Sequence, residues 1–307
     1  MPQSKSAFIT ILGRPNVGKS SLLNKILGQK VSIVSDKPQT TRTRIMGVYT
    51  KKENQFVFID TPGFHKPRNT LGEKMIKAVG DGMADVDCAI LVVEADTKFA
   101  LEEGKIPSAE EALLEQIKSR GLKTILVINK IDVLAEKTHL LGLIAKYSEK
   151  YDFSAVIPLS AKTGDGVSLL LKELENFAKP SAHYFDEGVL SDQPDSVMVS
   201  EIIREKALYR LDKEIPHGIA VGIDRFFERD DANGEPIIEI YATIYTERDS
   251  HKGIIIGKSG AMLKSIGIDS RFELEKFFGT KVLLQLWVKV KKDWRNSNAL
   301  IRNFGLD

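Results

Sequence analysis

The sequence contains a single cysteine, no long apolar run and almost no excess of charge. Cys88, the one cysteine, excludes an internal disulfide and a cysteine-rich metal site. It lies in the apolar run VDCAILVV, which favours a buried core thiol. No window approaches the ~18 uninterrupted apolar residues of a membrane-spanning helix, and the first residues do not form a secretory signal. We therefore expect a cytoplasmic protein.

The charges are nearly balanced, with 44 lysines and arginines against 42 aspartates and glutamates in 307 residues. Because the chain has no overall basic excess, any nucleic-acid surface has to be local. Residues 248–302 provide such a region, since they contain 12 lysines and arginines against 5 aspartates and glutamates. The length is sufficient for two domains.

The first 178 residues alternate strand-like apolar runs with amphipathic helical ones. Predicted strands lie at 8–12, 55–60, 88–96, 123–129 and 155–160. Most are continuously apolar, as expected for parallel strands buried on both faces, and helical stretches such as 108–120 separate them. This order predicts a doubly wound α/β domain over residues 1–178.

The pattern changes after residue 178. A stretch with prolines, serines and scattered acidic residues, 179–199, predicts a linker. A small α+β domain is predicted over 200–291, and residues 292–307 form a basic tail. Within the second domain we expect helices at 200–216 and 261–279 and strands at 218–227, 236–246 and 281–290, with an Asn-Gly hairpin between the first two strands.

A glycine-rich loop, GRPNVGKS at 13–20, matches the phosphate-binding pattern G-x-x-x-x-G-K-[ST] between a strand and a helix. Gly13 and Gly18 allow backbone amides to approach phosphates. Lys19 is expected to reach the β- and γ-phosphates and Ser20 to bind Mg²⁺. The predicted nucleotide site also includes the neighbouring residues Asn16, Val17 and Ser21.

The tetrapeptide DTPG at 60–63 ends the next strand. Asp60 is placed to hold the metal through water, and the Gly63 amide to sense the γ-phosphate. The same four residues are equally typical of a common turn.

The tetrapeptide NKID at 129–132 selects the base. Guanine presents N1–H and an exocyclic amine on one edge, and a single carboxylate, Asp132, can accept from both donors. Lys130 would cover the ring and Asn129 would tie loops together. A polar helix cap after a buried strand would look the same. The tripeptide Ser160, Ala161 and Lys162 ends a later strand, where a backbone amide could donate to guanine O6.

These four motifs, in this order, resemble Era-type GTPases. By that resemblance 35–47 is the first switch and Thr41 the second Mg²⁺ ligand, with Thr40 as its competitor. Lys19, Thr41 and Gly63 are then the catalytic set. Phe64 stands where Ras-type GTPases carry a water-orienting glutamine, so either another group orients the water or intrinsic hydrolysis is slow.

The resemblance also suggests that Asn16 coordinates K⁺, although a turn-stabilising role fits equally well. His65 is a candidate general base or simply a surface switch residue.

A second Gly-Lys turn, GKSG at 257–260, resembles the GxxG loop of a KH module, which clamps about four unpaired nucleotides. Apolar residues 254–256 would form a floor for bases, although some must belong to the core. Trp294 in the basic tail either contacts RNA or docks onto the domain. The predicted RNA-binding set is Gly257, Lys258, Ser259, Gly260, Lys252, Lys264, Lys289 and Lys291.

The resemblance implies a monomeric switch that uses GTP, GDP and Mg²⁺ and acts in assembly of the small ribosomal subunit. It would bind single-stranded RNA at the 3′ end of 16S rRNA and associate peripherally with the cytoplasmic membrane face. Two rivals stay open: a scaffold that barely hydrolyses GTP, and a GTPase whose C-terminal domain binds protein.

Overall fold

The structure is a computed structural model that describes residues 4–37, 39–95, 106–134, 138–211, 218–231 and 233–306. The chain forms two compact units. The first comprises 1–32, 41–66 and 75–192, and the second comprises 33–40, 67–74 and 193–307. None of the helices among the described residues is both long enough and apolar enough to cross a membrane.

The first unit contains a sheet with strand order β2-β3-β1-β4-β5-β6, and β7 pairs with β1. The strands are β1 (Lys5–Leu12), β2 (Ile45–Lys51), β3 (Asn54–Asp60), β4 (Cys88–Glu94), β5 (Thr124–Asn129), β6 (Ala155–Pro158) and β7 (Lys179–Pro180). Pairs among β3, β1, β4, β5 and β6 are parallel. The last predicted residue of the strand 88–96, residue 96, lies outside the described residues.

Helices cover both faces of this sheet. They are α1 (Lys19–Leu27), α2 (Thr70–Gly82), α3 (Ser108–Ser119), α4 (Thr138–Ser148) and α5 (Val167–Leu174), and the division between units falls inside α2. Strand β4 shows the double burial directly. Cys88, Ile90 and Val92 belong to one apolar cluster, and the alternate residues 89, 91 and 93 belong to another. The predicted doubly wound fold is confirmed.

Burial also keeps the single thiol, that of Cys88, protonated. Cys88 is fully buried, and this burial raises its pKa to about 12. The thiol is therefore a core group, as its apolar surroundings in the sequence predicted.

Two features of the first unit differ from expectation. Strand β2 was not predicted, and it pairs antiparallel with β3 in the segment that follows the expected switch. The predicted linker is ordered in part: β7 begins it, and the Gln55 side chain bonds the backbone of Tyr184 and Phe185. Residues 179–192 therefore belong to the first unit.

The second unit packs most of its helices against one face of a three-stranded sheet. Its elements are α6 (Asp195–Arg210), β8 (Ala220–Asp230), β9 (Pro236–Thr246), α7 (Asp249–Ile256), α8 (Ala261–Phe278), β10 (Lys281–Val290) and α9 (Asn298–Asn303). The strand order is β10-β9-β8, with β10 parallel and β8 antiparallel to β9. Helix α6 begins five residues before the predicted start, and its predicted extension over 212–216 lies outside the described residues.

The expected hairpin joins β8 and β9. Gly234 has φ 81°, and the Asp231 carboxylate accepts from the amides of Asn233 and Glu235. These backbone hydrogen bonds lower the pKa of Asp231. An aspartate that captures nearby amides in this way stabilises a turn.

The basic tail is anchored by its tryptophan. Trp294 is fully buried, its indole N–H donates to the Gly218 carbonyl at 2.9 Å, and its ring meets Phe304 edge to face. Of the two roles left open for Trp294, the structure shows docking.

Candidate nucleotide site and nucleic-acid surface

The glycine-rich loop requires glycine at two positions. Gly13 has φ 150°, and a Cβ there would lie 2.4 Å from the Val92 carbonyl oxygen. Gly18 has φ 98°, and a Cβ there would lie 2.2 Å from Asn129 Nδ2. Left-handed backbone and such close neighbours favour glycine alone. The loop therefore lies tightly against the ends of β4 and β5, where doubly wound sheets bind ligands.

Lys19 begins α1, and its ammonium lies inside the loop. Nζ donates to the carbonyls of Gly13 at 3.1 Å and Arg14 at 2.9 Å. Burial lowers the pKa of Lys19 to about 8, and the Asp60 carboxylate partly opposes that shift. The ammonium is thus held by weak neutral acceptors that phosphate oxygens can replace with stronger, charge-assisted hydrogen bonds.

Three oxygen ligands converge beside Lys19. Ser20 Oγ lies 2.9 Å from Thr41 Oγ1 and donates to Asp60 Oδ2 at 2.7 Å. Ser32 also donates to Asp60 Oδ2, whereas the buried Oδ1 has no hydrogen-bond partner among the described residues. Burial raises the pKa of Asp60. A buried carboxylate oxygen left unsatisfied beside two hydroxyls suits a hard divalent cation such as Mg²⁺.

The two candidate switch threonines, Thr40 and Thr41, have different hydrogen-bond partners. Thr41 reaches Ser20, whereas Thr40 Oγ1 donates to the Lys37 carbonyl at 2.7 Å. The Thr40 carbonyl accepts from the buried guanidinium of Arg204. Only Thr41 therefore stands beside the predicted metal ligands.

Gly63 and Phe64 are fixed against the glycine-rich loop. A Cβ at Gly63 would lie 2.6 Å from the Pro15 nitrogen, and the Phe64 amide donates to the Gly13 carbonyl at 3.1 Å. The Phe64 side chain packs against an apolar cluster of the first unit. His65 Nδ1 lies 2.8 Å from the Gly63 carbonyl. Phe64 therefore has an apolar packing role, which explains its departure from glutamine.

Asn129, the last residue of β5, links two loops. Its Nδ2 donates to the Val17 carbonyl at 2.8 Å, and its Oδ1 accepts from the Ala161 amide at 2.9 Å. Lys130 adopts φ 66° and its ammonium contacts Glu94 at 2.6 Å. Asn16 in the glycine-rich loop is exposed and has φ 65°. Ser21 is half-buried in the first turn of α1.

Asp132 and the 160–162 turn face each other. Asp132 Oδ1 accepts from Ser160 Oγ at 2.6 Å, while the carboxylate itself stays exposed. The Ser160 amide donates to Asp165 and the Ala161 amide to Asn129. Lys162, the third residue of the turn, is exposed.

One buried cluster beside the loop escaped the sequence analysis. Arg14 Nε donates to Glu110 Oε1 at 2.5 Å, and the Tyr147 hydroxyl bonds the other Glu110 oxygen. Burial and Glu110 raise the pKa of Tyr147. Glu110 is fully buried on α3. A fully buried carboxylate needs partners, but no spacing motif connects residues this far apart in the chain.

In the second unit, a groove of about 390 Å³ runs between α8 and β10. The GxxG turn lies at its end: Gly257 has φ 72°, Gly260 has φ 81°, and Lys258 and Ser259 are exposed. The groove is lined by Gly260, Leu263, Lys264, Gly267, Ile268, Arg271, Leu284 and Leu286. Such a groove, apolar with cations at its rim, suits unpaired bases and their phosphates.

Of the predicted RNA-binding residues, Gly260 and Lys264 line this groove, and Lys252 and Lys291 do not. Lys289 alternates with the buried Val288 and therefore lies on the other face of the sheet. Arg271 was missed, although its spacing of seven residues from Lys264 on a helix places both on one side. Ile255 is core, whereas Ile254 is half exposed.

Comparison with known families and structures identifies the same two kinds of domain. A family model described as a 50S ribosome-binding GTPase matches residues 8–130, and a KH domain model matches residues 214–295. The GTPase Era of Ruminiclostridium cellulolyticum is 47% identical over 302 residues, covering 98% of this chain and 97% of the relative. The GTPase Era of Clostridioides difficile is 46% identical, with 98% of each chain covered.

Two crystal structures match nearly the whole chain at 37% identity. One is a variant of Aquifex aeolicus Era bound to GDP and AlF4⁻, with a TM-score of 0.91, covering 98% of this chain and 99% of that one. The other is Era with MgGDPNP and nucleotides 1506–1542 of 16S ribosomal RNA, with a TM-score of 0.92 and 99% of each chain covered. Because relatives of this identity align along almost the full length, the chain belongs to the Era family of GTPases.

Proposed function

We propose that this GTPase is a nucleotide-controlled switch that binds single-stranded RNA at the 3′ end of 16S rRNA during assembly of the small ribosomal subunit. The observation that carries the proposal is the presence, in one chain, of a guanine-nucleotide site and a GxxG groove. The related Era protein in complex with a 16S rRNA segment supports the same pairing.

The nucleotide site supports in-line attack of water on the γ-phosphate. Lys19 and the loop amides stabilise the charge that develops on the phosphate oxygens. Ser20 and Thr41 would hold Mg²⁺ directly and Asp60 would hold it through water, because their oxygens already converge there. When bound, Mg²⁺ neutralises charge on the β- and γ-phosphates. The Gly63 amide senses the γ-phosphate.

Base recognition follows from the second half of the site. The exposed Asp132 carboxylate accepts the two donors of guanine, and Lys130 covers the ring. The Lys162 amide supplies the donor to O6, since the other two amides of its turn are already bonded. Asn16 faces solvent in the glycine-rich loop, where its side chain would coordinate K⁺.

Nucleotide binding and RNA binding are coupled through residues 40 and 41 of the chain. Thr41 belongs to the first unit, beside Ser20, whereas Thr40 belongs to the second unit, where Arg204 binds its carbonyl. In the second unit Glu205 also accepts from the Val34 amide at 2.9 Å. If Thr41 bound Mg²⁺ beside a γ-phosphate, it would shift a segment that α6 holds, and this would bias the RNA-binding unit.

RNA binding is assigned to the GxxG turn and groove. The backbone at Gly257 and Gly260 approaches the phosphates of the RNA. Lys258 and Lys264 add positive charge, and Arg271 contacts the RNA strand further along α8. We place the protein in the cytoplasm as a monomer with peripheral membrane association.

The test is GTP turnover with and without RNA, in potassium and in sodium buffer, together with RNA affinity of the Lys258→Asp variant. We expect turnover that RNA and K⁺ increase, and an RNA affinity that falls at least tenfold with GTPase activity kept. Because Phe64 cannot orient water, a scaffold that only binds GTP is the second candidate. Absence of turnover under all four conditions would favour that scaffold. Unchanged RNA affinity of Lys258→Asp would refute the role of the GxxG turn.

A further inference from the structure

An exposed row of aromatic rings crosses the sheet of the second unit on the face opposite the groove. Phe227, Tyr241 and Trp287 contribute one ring each from β8, β9 and β10. The first two centroids lie 6.5 Å apart at an interplanar angle of 14°, and the last two lie 5.9 Å apart at 11°. Phe227 is 41% exposed and Trp287 42%. We call these three residues the ring row.

The same face is covered at its other end. Tyr245 packs against Phe304 of the tail, with centroids 4.8 Å apart. The tail thus shields one end of the sheet face, and no described segment packs over the ring row in the same way. Three neighbouring rings, of which Phe227 and Trp287 are exposed and Tyr241 is half-buried, indicate a binding surface, since exposed apolar patches on a folded unit commonly mark one.

The charge around the ring row is positive. Arg225 pairs with Tyr241 across β8 and β9, and Lys289 alternates with the buried Val288, so both lie on this face. Arg229 is paired with Glu239 at 2.5 Å, and the Tyr241 hydroxyl bonds the same carboxylate. Asp224 also lies on this face, where its Oδ2 accepts from Thr243 Oγ1 at 2.6 Å. Three cations against two carboxylates leave a small positive excess, which suits a polyanion.

The ring row adjoins the groove through one strand. Strand β10 is at the edge of its sheet, and its alternate residues face opposite ways. Leu284 and Leu286 line the groove, whereas Leu283 and Trp287 are exposed on the other face. An RNA strand that leaves the groove across this edge meets the ring row directly.

A GxxG groove holds about four nucleotides. The RNA in the related Era complex spans nucleotides 1506–1542, so most of it has to lie outside such a groove. We propose that the ring row is a second RNA contact, on which unpaired bases stack after the strand has crossed β10. The inference rests on the proposed RNA binding by the groove, and it adds a surface that the groove motif does not contain.

The test compares a long RNA with a short one. The long probe has the sequence of nucleotides 1506–1542, and the short probe is the tightest-binding five-nucleotide segment of it. Stacking of one base on an aromatic ring changes affinity by about tenfold or more. We therefore expect Trp287→Ala to raise the Kd of the long RNA about tenfold and Phe227→Ala/Trp287→Ala to raise it further. The Kd of the short RNA should stay within about twofold. Phe272→Ala is the matched control, since this ring is 70% exposed on α8 outside the ring row and the groove lining.

Tryptophan fluorescence gives a readout that a structural defect would not mimic. The chain has two tryptophans, and Trp294 is fully buried. The long RNA should quench the exposed Trp287, and the short RNA should not. Trp287→Phe keeps a ring, so it should retain the affinity for the long RNA while abolishing the quenching.

Unchanged affinity of the ring-row variants for the long RNA, with Trp287 unquenched, would overturn the proposal. Normal affinity for naked RNA combined with weaker binding to small-subunit particles would also overturn it, and would assign the ring row to a ribosomal protein. If Lys258→Asp leaves both probes bound as tightly as before, the failure lies in the proposed function of the groove instead.

Discussion

Replacing Gly18 by alanine should break the link between the glycine-rich loop and the guanine-binding loops. An alanine in this left-handed backbone costs about 1–2 kcal/mol. Its Cβ would also lie 2.2 Å from Asn129 Nδ2, so the Asn129 side chain has to move. That movement removes its bonds to the Val17 carbonyl and the Ala161 amide, at about 1 kcal/mol each. The total is about 3–4 kcal/mol.

We expect the GDP affinity of Gly18→Ala to fall about 100-fold or more in titrations with a fluorescent GDP analogue. Urea unfolding of the nucleotide-free protein, followed by circular dichroism, should show the loss of stability. Gly28→Ala is the matched control. Gly28 ends the same helix with φ 69°, but a Cβ there meets nothing within 4 Å. The Gly28→Ala variant should lose only the stability that the left-handed backbone costs, about 1–2 kcal/mol, and should keep its GDP affinity.

A double variant separates the clash with Asn129 from the backbone strain of an alanine at position 18. Asn129→Ala removes the obstructing group, so Gly18→Ala should cost less in that background than alone. Equal losses of stability for Gly18→Ala and Gly28→Ala, together with strict additivity in the double variant, would show that Asn129 does not transmit the effect.

Three further results are expected. Asp132→Asn should weaken GDP binding at least 30-fold and favour xanthine over guanine nucleotides, because the amide offers a donor where guanine also presents donors; unchanged preference in competition titrations would contradict this. Since burial lowers the pKa of Lys19 to about 8, the free protein loses this charge above that pH and GDP affinity should fall there. At pH 8.5 binding should take up a fraction of a proton by calorimetry in two buffers, and Lys19→Arg should abolish the uptake. Trp294→Ala should destabilise the second unit by about 3–5 kcal/mol in urea unfolding, whereas Trp287→Ala should have little effect on stability.

Much of the nucleotide site was predictable because its residues follow strands of a recognisable kind. In a parallel sheet the carboxyl ends of neighbouring strands lie at one edge, so motifs at 13–20, 60–63 and 129–132 had to converge.

Strand β2 was not predictable in the same way. It pairs antiparallel at the sheet edge, and its residues are buried less completely than those of β4. Its apolar run is therefore short and interrupted.

In the second unit, local sequence patterns predict the order of elements but not the face on which each strand residue lies. The order of elements and the GxxG turn were readable. The predicted start of α6 at residue 200 was five residues late, although the proline before Asp195 and the acidic residue that opens the helix are start signals. The face on which a strand residue lies depends on register, which sequence does not specify by itself. Lys289 was thus grouped with the GxxG turn, although its side chain lies on the face of the ring row.

The cluster around Glu110 illustrates a deeper limit. Arg14 belongs to the glycine-rich loop, and its carbonyl holds the Lys19 ammonium at 2.9 Å. Its guanidinium is in turn held by Glu110, to which Tyr147 also bonds. Breaking a buried pair from one side leaves an uncompensated charge, so the three residues act as a unit. Their positions in the chain, 14, 110 and 147, follow no periodicity. Only the fold brings them together, and Arg14, five positions before Lys19 in the glycine-rich loop, is therefore fixed by contacts that no motif encodes.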